Sequence, residues 1–117
     1  MSENATTALV IDRQKALDRL YGDAELYETI VDIFLSTAGP EMTRFENAVQ
    51  ARDLKEACAA AHWLKSSAGN IGAMVLERAA LTAEVAARKG ETQAVVDSLA
   101  PFLDAYRRVV EELTKTS

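Results

Sequence analysis

Apolar residues recur along the chain at helical spacing, and glycines, prolines and capping residues divide the pattern into segments. A short amphipathic piece spans Asp12 to Leu20, with Leu17 and Leu20 on one face. Gly22-Asp23 interrupts it, and Asp23 is placed to cap a helix from Ala24 to about Thr37. In that helix Leu26, Ile30, Ile33 and Phe34 repeat as a core stripe should. Gly39-Pro40 reads as the end of that helix and the start of another, because proline in the first helical position loses no hydrogen bond. Met42, Phe45 and Val49 mark the next stripe. Asp53-Leu54-Lys55-Glu56 has capping-box spacing with Asp in the Ser/Thr place, so a helix is expected from Asp53 through an Ala-rich segment to about Gly69. After a break at Asn70-Ile71-Gly72, the spacing predicts a helix from Ala73 to Lys89, closed by Gly90. Its core side is Leu76, Ala79/Ala80, Ala83 and Ala86/Ala87, small residues that allow close helix approach. The last segment, Glu91 to Leu113, repeats Val95, Leu99, Phe102, Tyr106, Val109 and Leu113, with Pro101 expected to kink or split it.

No strand alternation, Asn-Gly hairpin signal or internal repeat competes with this pattern, so the fold class is all-α, an antiparallel helical bundle. At 117 residues the chain holds one domain, read as a polar, disordered N-terminal tail over 1–8 and a bundle over 9–115. The net charge of −5 argues against nucleic-acid binding, which needs a surplus of Lys and Arg. No segment offers the roughly 18 consecutive apolar residues of a membrane span. The opening MSENATTALVIDRQK has no basic and apolar regions of a secretory signal, so a cytoplasmic location is expected. Met1 and the polar ends suit a free-standing protein, although a domain cut from a larger protein would look the same. Cys58 is the only cysteine and reads as a small hydrophobe in a reducing compartment.

The only histidine, His62, lies within the Ala-rich helix. Leu54, Ala57, Ala61, Leu64 and Ala68 form the apolar stripe, and His62 falls about 120° from its middle. The imidazole should therefore face solvent. Its neighbours on the same face are Cys58 at i−4, Lys65 at i+3, Ser66 at i+4 and Gly69 at i+7. Apart from the lysine these are small, which leaves a cleared surface of the kind a nucleophile needs to enter another protein's acidic pocket. Lys65 would disfavour imidazolium, keeping His62 nucleophilic, and could partner the roughly −2 charge of a phosphoryl group. Ser66 is the better placed of two serines to hydrogen-bond that group.

Each of these residues also has a plainer reading. A single helical histidine is commonly an ordinary surface or core residue, Lys65 a snorkelling lysine, and Gly69 and Gly72 a helix stop and a turn. Trp63, about 140° from the stripe centre, either packs beneath a neighbouring segment or edges a docking surface. Spacing alone leaves these alternatives open.

His62-Trp63-Leu64-Lys65-Ser66-Ser67-Ala68-Gly69-Asn70-Ile71-Gly72 closely resembles the motif of histidine-containing phosphotransfer (HPt) domains. That motif runs His, any residue, Leu, Lys, Gly, small residues, then an apolar residue and Gly. The match is at His62, Leu64, Lys65, Gly69, Ile71 and Gly72, and the departure at Ser66, where the family usually has Gly. Leu26 to Phe34 and Leu76 to Arg88 also resemble the family's flanking helices.

The resemblance implies a monomeric four-helix bundle with a short additional N-terminal helix. His62 would accept a phosphoryl group on a ring nitrogen from a receiver-domain aspartate or a kinase, and pass it to a response-regulator receiver aspartate. Partners would be receiver domains of response regulators or hybrid histidine kinases, docking over Cys58, Ala59, Trp63, Ser66 and Gly69. No cofactor would bind this chain, and Mg²⁺ would belong to the receiver, which supplies the catalysis. Consistent with a carrier lacking its own ATP site, there is no GxxxxGK[ST] or GxGxxG, and the five glycines are scattered. With no second histidine and no cysteine pair, no zinc site is expected either. The alternatives are a bundle of the same fold that docks a receiver or kinase without being phosphorylated, and an unrelated four-helix adaptor.

Overall fold

The computed structural model describes residues 10–115 and comprises five helices. They are α1 (Arg13–Arg19), α2 (Ala24–Gln50), α3 (Leu54–Ile71), α4 (Met74–Arg88) and α5 (Thr92–Thr114). The expected tail over 1–8 lies outside the described residues. No strand occurs among the described residues, and none of their helices is long and apolar enough to cross a membrane. Turns of a few residues join α2 to α5 in sequence, so consecutive helices run antiparallel. Helix α3 packs against both α2 and α4, α4 packs against α5, and α2 meets α5 to close a four-helix bundle.

Capping follows the sequence where a side chain carries it. Asp12, Asp23 and Asp53 each accept a hydrogen bond from the backbone N–H three residues on, opening α1, α2 and α3. Asp53 with Glu56 is the donor-capping half of the expected box. Helix α3 then runs to Ile71, two residues past the expected stop at Gly69, and Gly72 ends it in the left-handed region at φ 80°.

Two prolines were expected to interrupt helices, and neither does. Helix α2 passes through Gly39-Pro40 unbroken, and α5 passes through Pro101. In α2 the buried series Phe34, Ala38, Met42, Phe45 and Val49 keeps one helical register across the proline. Pro40 and Ser36, whose carbonyl loses its usual donor, both face solvent, where water can serve it. Gly39 has a packing reason instead: a Cβ there would lie 3.3 Å from the Tyr106 hydroxyl of α5. In α5, Val95, Phe102, Ala105 and Val109 bury one face while Pro101 stays outside.

The core stripe of the first half of α2 is also rotated from expectation. Tyr27, Phe34 and Ala38 are buried, whereas Leu26 is 43% and Ile33 55% exposed. Glu25, Glu28, Thr29, Asp32 and Ser36 share one polar arc. The apolar arc opposite is wider than the contact with α3 and α5, so its centre, Tyr27 and Phe34, is covered while Leu26 and Ile33 at its edge are not.

α1 closes the C-terminal end of α3. The Asp12 N–H donates to the Gly72 carbonyl (2.7 Å), Arg19 Nη1 to the Gly69 carbonyl (3.1 Å) and the buried Tyr27 hydroxyl to the Ile71 carbonyl (2.9 Å). Three carbonyls at a helix end thus gain donors, one of them cationic, as the helix dipole favours. Gly72 is required here twice over. Its φ is positive, and a Cβ would stand 2.4 Å from the Asp12 carbonyl oxygen.

Candidate functional site

The middle of α3 is held rigidly from beneath. Ala57, Ala60, Ala61, Leu64 and Ala68 are fully buried, so the opposite face is aimed outward with little freedom. His62 lies on that face with 62% of its side chain exposed, as the helical wheel predicts. Its Nδ1 is 2.8 Å from Oε2 of Glu84, a residue of α4.

Glu84 is the centre of the site and was not anticipated from the sequence. Its side chain is only 3% exposed, yet it meets three cationic or basic groups. Oε1 lies 2.8 Å from Lys65 Nζ, and Oε2 lies 2.6 Å from Arg88 Nη2 as well as against His62. Burial by itself pushes this carboxyl up. The hydrogen bonds and charges of Lys65 and His62 more than offset that and hold it below the ordinary glutamate range. An ionised carboxylate only accepts, so His62 Nδ1 must carry the hydrogen, and in the neutral ring the Nε2 lone pair is left facing solvent.

The depressed Glu84 carboxyl has a consequence for stability. Its folded pKa is below the unfolded one, so its contribution is complete above about pH 4.5, the ordinary value for a glutamate, and is lost as pH falls through the folded value. The unfolding free energy of wild type should therefore exceed that of Glu84→Gln at neutral pH, and the gap should narrow in acid. Denaturant unfolding of both proteins across pH 3–7 checks this; parallel curves would mean that the carboxylate adds nothing.

Lys65 is half-buried and engaged with Glu84, so the expectation that its charge acts directly on the imidazole is revised: a carboxylate stands between them. Ser66 is exposed one turn beyond His62, with no side-chain hydrogen bond among the described residues. Ala59 is exposed. Cys58 is half-buried, its thiol 3.8 Å from the Glu84 carbonyl, and Trp63 is half-buried, and both pack against the core. Gly69, expected on the docking surface, is not exposed with Ala59 and Ser66. It is buried, and a Cβ there would come 3.1 Å from the Glu77 carboxylate, so its smallness serves the close approach of α3 and α4.

Shallow depressions flank the histidine face on both sides. Toward α4, a groove of about 590 Å³ is bordered by Leu54, Cys58, Ala59, His62, Ala87 and Arg88. Toward α2, a smaller one is bordered by Ile30, Ile33, Thr37, Ser67 and Asn70. Among the described residues, no cluster of His, Cys, Asp and Glu is arranged to hold a metal ion.

Residues 29–115 match the family model of the Hpt domain, three quarters of the chain with every residue of the histidine site. The chain belongs to the Hpt domain family. Comparison with curated proteins and with solved structures gave no match. Membership makes this a histidine-phosphotransfer module of two-component signalling, a family of phosphoryl carriers that work with receiver domains. The matched span of the Hpt domain begins inside α2, and α1 lies outside it.

Glu84 and Arg88 were missed for one reason: both sit on α4, and a helical wheel of α3 does not contain them. A signal was available. Glu84 interrupts the Ala80, Ala83, Ala87 stripe, and an acidic residue on an otherwise apolar stripe needs a buried cationic partner.

Proposed function

We propose that His62 is the phosphoacceptor of this Hpt domain and that Nε2 is the reacting nitrogen. The observation carrying this reading is the Nδ1 contact with a buried, ionised Glu84 beneath an exposed imidazole. Glu84 sets the tautomer and ring orientation, as a positioning residue, and Nε2 is presented as the nucleophile. In transfer from a receiver, the Nε2 lone pair forms the N–P bond while the aspartyl O–P bond breaks. The leaving carboxylate keeps the electron pair, and the Nδ1 hydrogen stays shared with Glu84. The reverse step passes the group to a response-regulator aspartate. This chain contributes no nucleotide site; the receiver brings its aspartate and the Mg²⁺ that steadies the phosphoryl in flight.

The docking face we assign runs over Ala59, His62 and Ser66 and on to the exposed Ile33 and half-buried Thr37 of α2. Ile33 replaces Gly69 in the expected set, because an exposed isoleucine beside a cleared helix face gives a partner apolar area to cover. Ser66, where the family has Gly, adds one hydroxyl to that face without a charge.

Incubation with a phosphorylated receiver domain tests the reading. Acid-labile, base-stable label on the wild-type chain is expected. A folded bundle that takes no label from several receivers would leave the docking module that never carries phosphate.

A further inference from the structure

Three basic side chains converge on the single buried carboxylate of Glu84, and they are not equivalent. Lys65 Nζ meets Oε1 from a side chain only 26% exposed. Arg88 meets Oε2 through one nitrogen, Nη2, from a side chain 59% exposed, and it borders the groove that His62 borders. His62 contacts that same oxygen, so the guanidinium and the imidazole are neighbours.

We infer that Arg88, rather than Lys65, binds the phosphoryl group once it is on His62, while Lys65 remains with Glu84. This rests on His62 being the phosphoacceptor. A phosphoryl group brings roughly −2 charge beside a carboxylate of −1, so the pair needs a cation that can leave one for the other. Withdrawing Lys65 would strip Oε1 of its counter-charge in a site closed to water, which is costly. Withdrawing Arg88 leaves Glu84 with Lys65 and His62, and the arginine moves through solvent. Its planar fork also has donors free of Glu84 that suit two phosphoryl oxygens at once, whereas an ammonium acts as a point charge. Beside His62, then, α4 supplies the phosphoryl ligand and α3 the anchor.

The charged groups around this groove are Lys55 and Lys65 from α3 and Glu84 and Arg88 from α4. The test uses phosphoramidate, a chemical donor that needs no partner protein: the Nε2–P bond forms as the P–N bond breaks and ammonia leaves. The second ionisation of the phosphoryl group is then followed by ³¹P NMR. A cation on the phosphoryl oxygens favours the dianion, so Arg88→Ala should raise the titration midpoint by about one pH unit. Arg88→Lys should recover part of the change. Lys65→Ala should move the midpoint far less, and Lys55→Ala, on the groove's far rim, should leave it in place. Melting curves accompany each variant, and Lys65→Met replaces Lys65→Ala if the latter is not folded. An unmoved midpoint in Arg88→Ala, or a larger rise in the Lys65 variant, overturns the assignment while His62 remains the acceptor. A wild-type chain that takes no phosphoryl group on His62 overturns both.

Discussion

His62→Gln is expected to abolish phosphoryl acceptance altogether while leaving the bundle folded. An amide nitrogen has no basic lone pair to form an N–P bond, and His62 is the only histidine in the chain. The cost to stability should be small. The side chain is 62% exposed, and what is lost is one hydrogen bond to Glu84, which keeps Lys65 and Arg88. A change within about 1 kcal/mol is expected, as for surface positions carrying a single polar contact. Receiver-dependent labelling and thermal unfolding, measured side by side, check both halves. Label surviving in the variant would move the phosphoacceptor to another residue. A large fall in melting temperature would mean that the imidazole braces Glu84 rather than resting on it.

The largest loss of stability is expected from Phe45→Ala. Phe45 of α2 and Phe102 of α5 are both fully buried, with ring centroids 4.9 Å apart and planes at 61°. Their edge-to-face contact joins the first and last long helices, whose other ring contact, Phe34 with Tyr106, is wider at 6.5 Å. Truncation removes both the apolar area and the ring partner, at a cost of about 3–5 kcal/mol. For a domain of this size that corresponds to a fall of about 12–20 °C in melting temperature. Thermal and urea unfolding of the two proteins measure it. A loss below about 1 kcal/mol would show that the alanine-rich interior collapses around the vacated space.

Glu84 links these two kinds of effect. It is nearly as buried as the core it sits in, yet all its partners are the reactive or charged groups of the site. The buried positions around it on α4 are alanines, which bring α4 close enough to α3 for one carboxylate to span His62 and Lys65. Small residues in the core therefore set the geometry at the surface.

The sequence by itself determined the all-α class, where each of the five helices starts and the face of α3 that carries His62. These are local matters: Asp caps a helix start, a left-handed glycine closes one, and one helix's periodicity decides which residues oppose its apolar stripe. The His-x-Leu-Lys spacing was legible for the same reason, since residues three and four apart meet on one helix whatever surrounds it. The tertiary structure alone decided what depends on a second helix. Pro40 and Pro101 stay inside continuous helices because buried side chains on either side of each hold the register against the missing hydrogen bond. The apolar arc of the first half of α2 is wider than its contact, and α3 and α5 cover its centre, Tyr27 and Phe34, while Ile33 at the edge stays outside. Gly69 turns out to be covered by Glu77, and His62 to rest on Glu84, through contacts between residues far apart in sequence. A wheel places a side chain around its own axis; only the packed neighbour shows which charge it meets there.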